Sequence, residues 1–276
     1  MQKSAAREIR IKKISNANVS DEDDLIAVEE PLEIQVQYQS DEKQIRKSIS
    51  VTMRTPGNDE ELATGFLFTE GILHDRNQIS KVGTDIFDEN KVLVTLTEHE
   101  VPKLQTSERN FYTTSSCGVC GKSSIDAIKT VSPFANLPDD LLVPAGLFYN
   151  LQNELKKQQE VFQNTGGLHA SGLFDLHGNI ILLREDVGRH NALDKAIGAS
   201  FLQDQLPLNQ IILLLSGRAS FELIQKASMA GIKIVAAIGA PSSLALQLAE
   251  EFNITLIGFL GKERFNIYSG SHRIKI

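Results

Sequence analysis

Hydrophobic and polar residues alternate in short runs along the first part of the chain, a pattern that is typical of half-buried β-strands. The runs cover residues 9–14, 32–38, 45–53 and 92–96. Between the third and fourth runs, Asn58 and three acidic residues precede Leu62, Phe66 and Leu67, which predicts a helix capped by Asn58. We therefore expect residues 1–110 to form a smaller β-rich N-terminal subdomain with one helix.

Residues 111–276 follow a different rhythm, in which apolar runs alternate with amphipathic stretches. The pattern predicts strands at 211–215, 232–238 and 254–257, helices at 220–230 and 242–252, a hairpin at 173–183 and a helix at 189–197. Buried strands joined by helices are typical of a parallel or mixed sheet with helices on both faces. This part is therefore predicted to be an α/β domain.

Each of the last three predicted strands is followed by a turn with small or charged residues. The turns contain Ser216, Gly217 and Arg218, then Gly239 to Ser242, then residues 258–261. Right-handed crossovers place the turns after parallel strands at one edge of the sheet, where such sheets bind ligands. Helices follow the first two turns, and their free N–H groups favour a phosphate-bearing ligand. Helix capping alone would also explain the serines.

These turns match neither the Gly-x-Gly-x-x-Gly fingerprint nor the Walker loop, which argues against an ordinary NAD enzyme or NTPase.

The chain has 276 residues, a net charge of −7 and a pI near 5.5, so broad binding to nucleic acid is not indicated. Its longest apolar runs fall far short of the roughly 20 residues of a membrane span. Since the basic N-terminus also lacks a signal-peptide pattern, we expect a cytoplasmic protein. Locally, Lys262, Arg264, Arg273 and Lys275 outnumber Glu263 near the C-terminus, which suits an anionic ligand.

The two cysteines of the chain, Cys117 and Cys120, lie in a glycine- and serine-rich stretch. Lys122 and the start of the helix predicted after Ser124 favour the reactive thiolate form, which can attack a persulfide and carry away its outer sulfur. A zinc site would need His169 or His190 as further ligands. A thioredoxin-type dithiol and two incidental small residues are the remaining alternatives, whereas the signature of a base deaminase is absent around Cys117.

Two further motifs carry ionisable groups. In residues 165–171 (TGGLHAS), His169 follows a glycine turn. It is either a proton carrier or merely the first residue of the strand that follows. Residues 184–195 (REDVGRHNALDK) place His190 at a strand-to-helix turn. A site is one interpretation of this motif. The other is a solvated helix start in which Asp186 is a cap acid and Asp194 and Lys195 face water.

Taken in order, the motifs resemble the formate dehydrogenase accessory sulfurtransferase (FdhD) family. The matching segments are residues 117–122 (CGVCGK), 166–170 (GGLHA), 185–195 (EDVGRHNALDK), 216–218 (SGR) and 239–243 (GAPSS). The resemblance implies a cytoplasmic protein, commonly a homodimer, with a cytidine-deaminase-like α/β core. It also implies that sulfur is accepted as a persulfide from a cysteine desulfurase and passed to the bis-molybdopterin guanine dinucleotide (bis-MGD) molybdenum cofactor, before that cofactor enters formate dehydrogenase.

By the same resemblance, Cys117 is the persulfide carrier. Thiol chemistry then leaves Cys120 to assist the transfer or to resolve the adduct. The segment that lines the cofactor site corresponds to Phe259, Leu260, Gly261, Lys262, Glu263 and Arg264. We expect GDP to mimic part of the cofactor, and Phe259 either to stack on a planar ring or to fill the core. The rival hypothesis is a non-catalytic molybdenum-cofactor chaperone, whose cysteines bind only ligand or zinc.

Overall fold

The computed structural model describes residues 4–16, 18–103, 132–134, 137 and 139–276. Cys117, Cys120 and the helix predicted after Ser124 lie outside the described residues. The strands are β1 (Ala6–Ser15), β2 (Asn18–Ala27), β3 (Glu30–Ser40), β4 (Lys43–Arg54), β5 (Ile79–Thr84), β6 (Lys91–Leu96), β7 (Val143–Pro144), β8 (His169–Phe174), β9 (Ile180–Asp186), β10 (Ile212–Leu215), β11 (Ile234–Ala237), β12 (Thr255–Gly258), β13 (Asn266–Ser269) and β14 (Ile274–Lys275). The helices are α1 (Asp59–Thr69), α2 (Ala145–Gln158), α3 (Glu160–Thr165), α4 (Arg189–Leu202), α5 (Phe221–Met229) and α6 (Ser243–Glu251).

The N-terminal part contains a four-stranded sheet in the order β4-β3-β6-β5, which packs against α1. All four predicted strands and the helix are present. Strands β2 and β5 were not predicted. Strand β2 is strongly acidic and pairs with β1 through exposed ion pairs such as Arg10–Asp23. The predicted cap was wrong in its chemistry, because Asn58 adopts a left-handed φ of 57° and its side chain makes no capping hydrogen bond.

The larger sheet has six strands in the order β13-β12-β11-β10-β8-β9. Strands β10, β11 and β12 are parallel, as predicted, while the β8–β9 hairpin and β13 add antiparallel neighbours. Helices α4, α5 and α6 pack on one face, whereas Phe148 and Leu151 of α2 join the core on the other. The mixed α/β sheet with helices on both faces is therefore confirmed. Its connectivity aligns the ends of β10, β11 and β12 at one edge.

One buried apolar cluster includes Leu32 and Val92 of the small sheet as well as Leu213 and Val235 of the large one. The two parts meet where α1 crosses α4 in direct backbone contact. A Cβ atom added to Gly65 would lie 1.9 Å from the carbonyl oxygen of Asp194, and one added to Gly198 would lie 1.8 Å from that of Glu61. The boundary near residue 110 stays a prediction. Among the described residues, no helix has the length and apolar character needed to cross a bilayer.

Candidate functional site

The three turns that follow β10, β11 and β12 lie side by side at the carboxyl edge of the large sheet. Gly239 N–H donates to the Gly217 oxygen at 2.9 Å, and Phe259 N–H donates to the Gly239 oxygen at 3.1 Å. Main-chain bonds therefore continue past the strand ends and join the turns into one surface, which we call the carboxyl edge. The convergence expected from parallel strands is observed.

Small residues permit this close assembly. A Cβ atom on Gly239 would lie 3.0 Å from the Arg218 backbone nitrogen, and one on Gly217 would lie 3.3 Å from the His169 ring. The first contact is with backbone, which cannot move away as a flexible side chain can. Gly217 thus brings the first turn against His169, which begins β8 at the same edge.

The serines of these turns have different structural roles. Ser242 caps α6, because its Oγ accepts a hydrogen bond from Ala245 N–H at 3.2 Å. Ser220 lies at the start of α5 but makes no capping bond. Ser216 Oγ accepts a bond from Ala170 N–H at 2.8 Å and so ties the first turn to β8. The capping interpretation holds for Ser242 alone among the three.

In the third turn, Phe259 has a left-handed φ of 53° and is 46% exposed. The alternative that Phe259 fills the core is therefore wrong. Leu260 takes that place, with 2% of its surface exposed, so its side chain is committed to the core. The Arg264 carbonyl accepts Gly261 N–H at 2.9 Å, which closes a loop whose side chains Lys262, Glu263 and Arg264 are exposed. Two cations and one aromatic ring are thus presented to solvent at the carboxyl edge.

The two histidines have contrasting environments. His190 Nε2 lies 3.0 Å from Glu222 Oε2 and 3.3 Å from Ser220 Oγ. The hydrogen bond from His190 holds the pKa of Glu222 below its ordinary value. Burial lowers the pKa of His169, and the nearby positive charges of Arg189 and His190 lower it further. His169 thus has a lowered pKa, whereas His190 is paired with the carboxylate of Glu222.

The motif that carries His190 is built on buried ion pairs. Asp186 is fully buried, and its carboxylate lies 2.7 Å from Lys195 Nζ while accepting Thr55 N–H at 3.1 Å and Gly188 N–H at 2.8 Å. Asp194 is also buried and lies 3.0 Å from Lys226 Nζ of α5. The interpretation in which Asp194 and Lys195 face water is wrong. Asp186 likewise makes no helix-capping bond to α4, since it binds the N–H of Gly188 before the helix.

The partners that hold this motif in place were not predicted from the sequence. Thr55 follows β4 in the N-terminal part, and Glu222 lies in the first turn of α5. No local pattern marks either residue as a neighbour of the motif. Within the described ranges, no three His, Asp or Glu side chains are grouped to hold a metal ion. A zinc site that includes Cys117 and Cys120 concerns residues outside those ranges.

The sequence matches known proteins over most of its length. A family model described as the FdhD/NarQ family matches residues 27–275. A protein named sulfur carrier protein FdhD from Mycolicibacterium paratuberculosis is 49% identical over 257 residues, covering 90% of this chain and 91% of the relative. A protein of the same name from Streptomyces coelicolor is 43% identical over 277 residues, covering 97% and 95%.

The fold is also matched by a crystal structure from Desulfotalea psychrophila, described as that of a candidate formate dehydrogenase accessory protein. Its TM-score is 0.74 at 22% identity, covering 99% of this chain and 100% of the other, so the likeness extends to the whole architecture. The family model spans nearly all of the sheet edge described above, including the charged motif before α4. On the strength of that match and of the two relatives, this chain belongs to the FdhD/NarQ family.

Proposed function

We propose that this protein is a sulfur carrier that accepts sulfur as a persulfide on Cys117 and delivers it to an anionic, nucleotide-bearing molybdenum cofactor of formate dehydrogenase. The observation that carries the proposal is the Cys-x-x-Cys pair in a chain whose relatives, matched over about nine-tenths of its length or more, are named sulfur carrier proteins. The transfer of a sulfur atom from a persulfide to this cofactor is a sulfurtransferase reaction.

Loading is a thiol exchange reaction. The Cys117 thiolate attacks the outer sulfur of a persulfide on a cysteine desulfurase, the donor S–S bond breaks, and the donor cysteine leaves as a thiolate. Cys117 then holds the persulfide. Cys120, the other thiol of the chain, can assist the transfer or resolve the adduct. No oxidant is needed, because the oxidation level of the transferred sulfur does not change.

The carboxyl edge supports the second half of the proposal. The exposed ring of Phe259 can stack on guanine or pterin, and Lys262 and Arg264 can pair with pyrophosphate. Glu263, Gly261 and the main chain of Leu260 belong to the same turn. Arg218 and the turn glycines Gly217 and Gly239 extend the surface toward His169 and His190, while Ser216 and Ser242 hold the turns in place. The bis-MGD cofactor is cargo in this scheme, and GDP is its partial mimic.

Several parts of the proposal rest on the family resemblance. They are the cytoplasmic location, the homodimer, the handover from a cysteine desulfurase, and the cytidine-deaminase-like description of the core. The sulfur-carrier role agrees with the name of the relatives, and the association with formate dehydrogenase agrees with the description of the structural neighbour. The rival function is a molybdenum-cofactor chaperone whose cysteines bind only ligand or zinc.

The direct test is the mass of the intact protein after incubation with a cysteine desulfurase and cysteine. We expect one additional sulfur atom that dithiothreitol removes and that tryptic peptides place on Cys117. The Cys117→Ala variant should lose it entirely, whereas Cys120→Ala should retain loading but transfer sulfur less efficiently. The two variants control for each other, since both remove one thiol from the same segment.

Two results would contradict the proposal. Extra sulfur found solely on Cys120 would reverse the assignment of the two thiols. No extra sulfur on either cysteine, together with stoichiometric zinc in the purified protein, would favour the chaperone.

A further inference from the structure

The end of the carboxyl edge that is remote from Phe259 contains three polar side chains, two on β8 and one at the start of α4. His169 begins β8, Ser171 lies two positions further on the same face of that strand, and Arg189 begins α4. The β8–β9 register pairs His169 with Asp186, so the turn that leads into α4 lies directly beside His169. We call His169, Ser171 and Arg189 the α4 cluster.

The cluster contains polar atoms that the described residues leave unsatisfied. Ser171 is 1% exposed, and its Oγ is buried without a hydrogen-bond partner. Arg189 Nε is likewise buried and unpartnered. The first turn of α4 has no side-chain cap to satisfy its N–H groups. Unsatisfied buried polar groups are costly and therefore require an explanation, and here they belong to β8 and α4, which pack against each other.

The charges of Asp186 and Glu222 act on His169 and Arg189, but both carboxylates already have other partners. Asp186 is engaged by Lys195 and by several N–H donors, and Glu222 is engaged by His190 and Ser220. The positive charge of Arg189 is strong enough at His169 to contribute to the lowered pKa of that imidazole. An anion placed between Arg189 and His169 would relieve this repulsion and accept the free donors.

We propose that the α4 cluster binds a phosphoryl group of the ligand that lies along the carboxyl edge. The proposal rests on the proposed function for the identity of that ligand as a nucleotide-bearing molecule. Three steps between neighbouring strands separate His169 from Phe259, through Gly217 and Gly239, which corresponds to roughly 14 Å. The α4 cluster is therefore a second anion-binding position, distinct from Lys262 and Arg264. Together the two positions would hold an extended ligand at two points and so orient it.

The test follows the imidazole resonances of His169 by NMR as inorganic pyrophosphate, GDP or guanosine is added. We expect pyrophosphate and GDP to raise the titration midpoint of His169, because an adjacent anion favours the protonated ring. Guanosine, which has no phosphate, should leave it unchanged. Arg189→Gln should abolish the shift and weaken GDP binding by about tenfold, as expected for a lost charge-assisted hydrogen bond.

Matched variants distinguish the α4 cluster from the turn with Lys262 and Arg264 at the other end of the carboxyl edge. Arg264→Gln should weaken GDP binding yet leave the pyrophosphate effect on His169 intact. Lys157→Gln, an equal change of charge at an exposed side chain of α2, should alter neither. Arg189→Lys keeps the positive charge but lacks the planar set of N–H donors of the guanidinium, so an intermediate affinity for GDP is expected. The wild-type NMR titration remains decisive even if Arg189→Gln does not fold.

The proposal is overturned if GDP does not move His169, even where free pyrophosphate does. It is equally overturned if Arg189→Gln binds GDP as tightly as the wild type. Failure of the proposed function would look different, since absence of a persulfide on Cys117 leaves these titrations unaffected.

Discussion

His169 shows how a single side chain reports on its surroundings. The pKa of this imidazole is lowered from 6.5 first by burial and then by Arg189 and His190. The unfolded chain therefore binds more protons than the folded one just below pH 6.5. Folding stability should fall as pH decreases through 6.5 toward the lower folded pKa, because the folded state resists protonation at this position.

We therefore expect His169→Gln to make folding less sensitive to acid. Between about pH 8 and about pH 5, the wild type should lose more free energy of unfolding than the variant, by about 1 kcal/mol or less. Urea denaturation at a series of pH values measures the difference. Equal losses in the two proteins would show that burial of His169 does not affect its protonation.

At the scale of elements, the crossing of α1 and α4 depends on glycine at the point of contact. The backbones approach so closely that a Cβ atom on Gly65 would overlap the carbonyl of Asp194. That carbonyl belongs to the same residue whose carboxylate pairs with Lys226 of α5. A shift of α4 would therefore disturb the buried ion pair as well as the packing of the helices.

Gly65→Ala should lower the free energy of unfolding by about 1–3 kcal/mol or more, since helix backbones must separate to admit the methyl group. Gly146→Ala in α2 is the matched control, because no atom lies within 4 Å of the added Cβ. Helix propensity predicts that this control is neutral or more stable by up to about 1 kcal/mol. Chemical denaturation of both variants measures the contrast, and similar effects on the two would contradict the close crossing.

At the scale of the whole molecule, a shared apolar core joins the small sheet to the large one. The β1–β2 hairpin differs, since it forms a separate two-stranded sheet whose cross-strand ion pairs are exposed. Exposed pairs stabilise weakly, and isolated two-stranded hairpins are marginally stable. The free energy of opening the hairpin should therefore be smaller than that of unfolding the core.

We expect amides in β3 and in β10 to lose protection from hydrogen exchange at the same denaturant concentration, because unfolding of either sheet exposes the common core. Amides of β1 and β2 should exchange at lower concentration. Hydrogen-exchange mass spectrometry across a urea series resolves these segments. Separate transitions for β3 and β10 would show that the two parts unfold independently.

The parallel part of the large sheet, strands β10, β11 and β12, could be predicted from local pattern, for a physical reason. Fully buried parallel strands such as β10 and β11 need continuous apolar runs, and those runs are visible in the sequence. Parallel connections then require their turns to meet at one edge, so the order of residues alone is enough to group Gly217, Gly239 and Phe259. The thiol motif and the family resemblance likewise depend on residue order alone.

Only the tertiary structure decided which charged groups are buried. Asp194 and Lys195 occupy a helix whose local pattern suits solvent. Their partners are Lys226 and Thr55, from distant segments, and Asp186, at the end of the preceding strand. Burial of a charge is tolerated only when such a partner is in place, and local sequence does not encode that partner. The same reason explains why the pairing of His190 with Glu222, and the unsatisfied donors around Arg189, emerge only when the chain is folded.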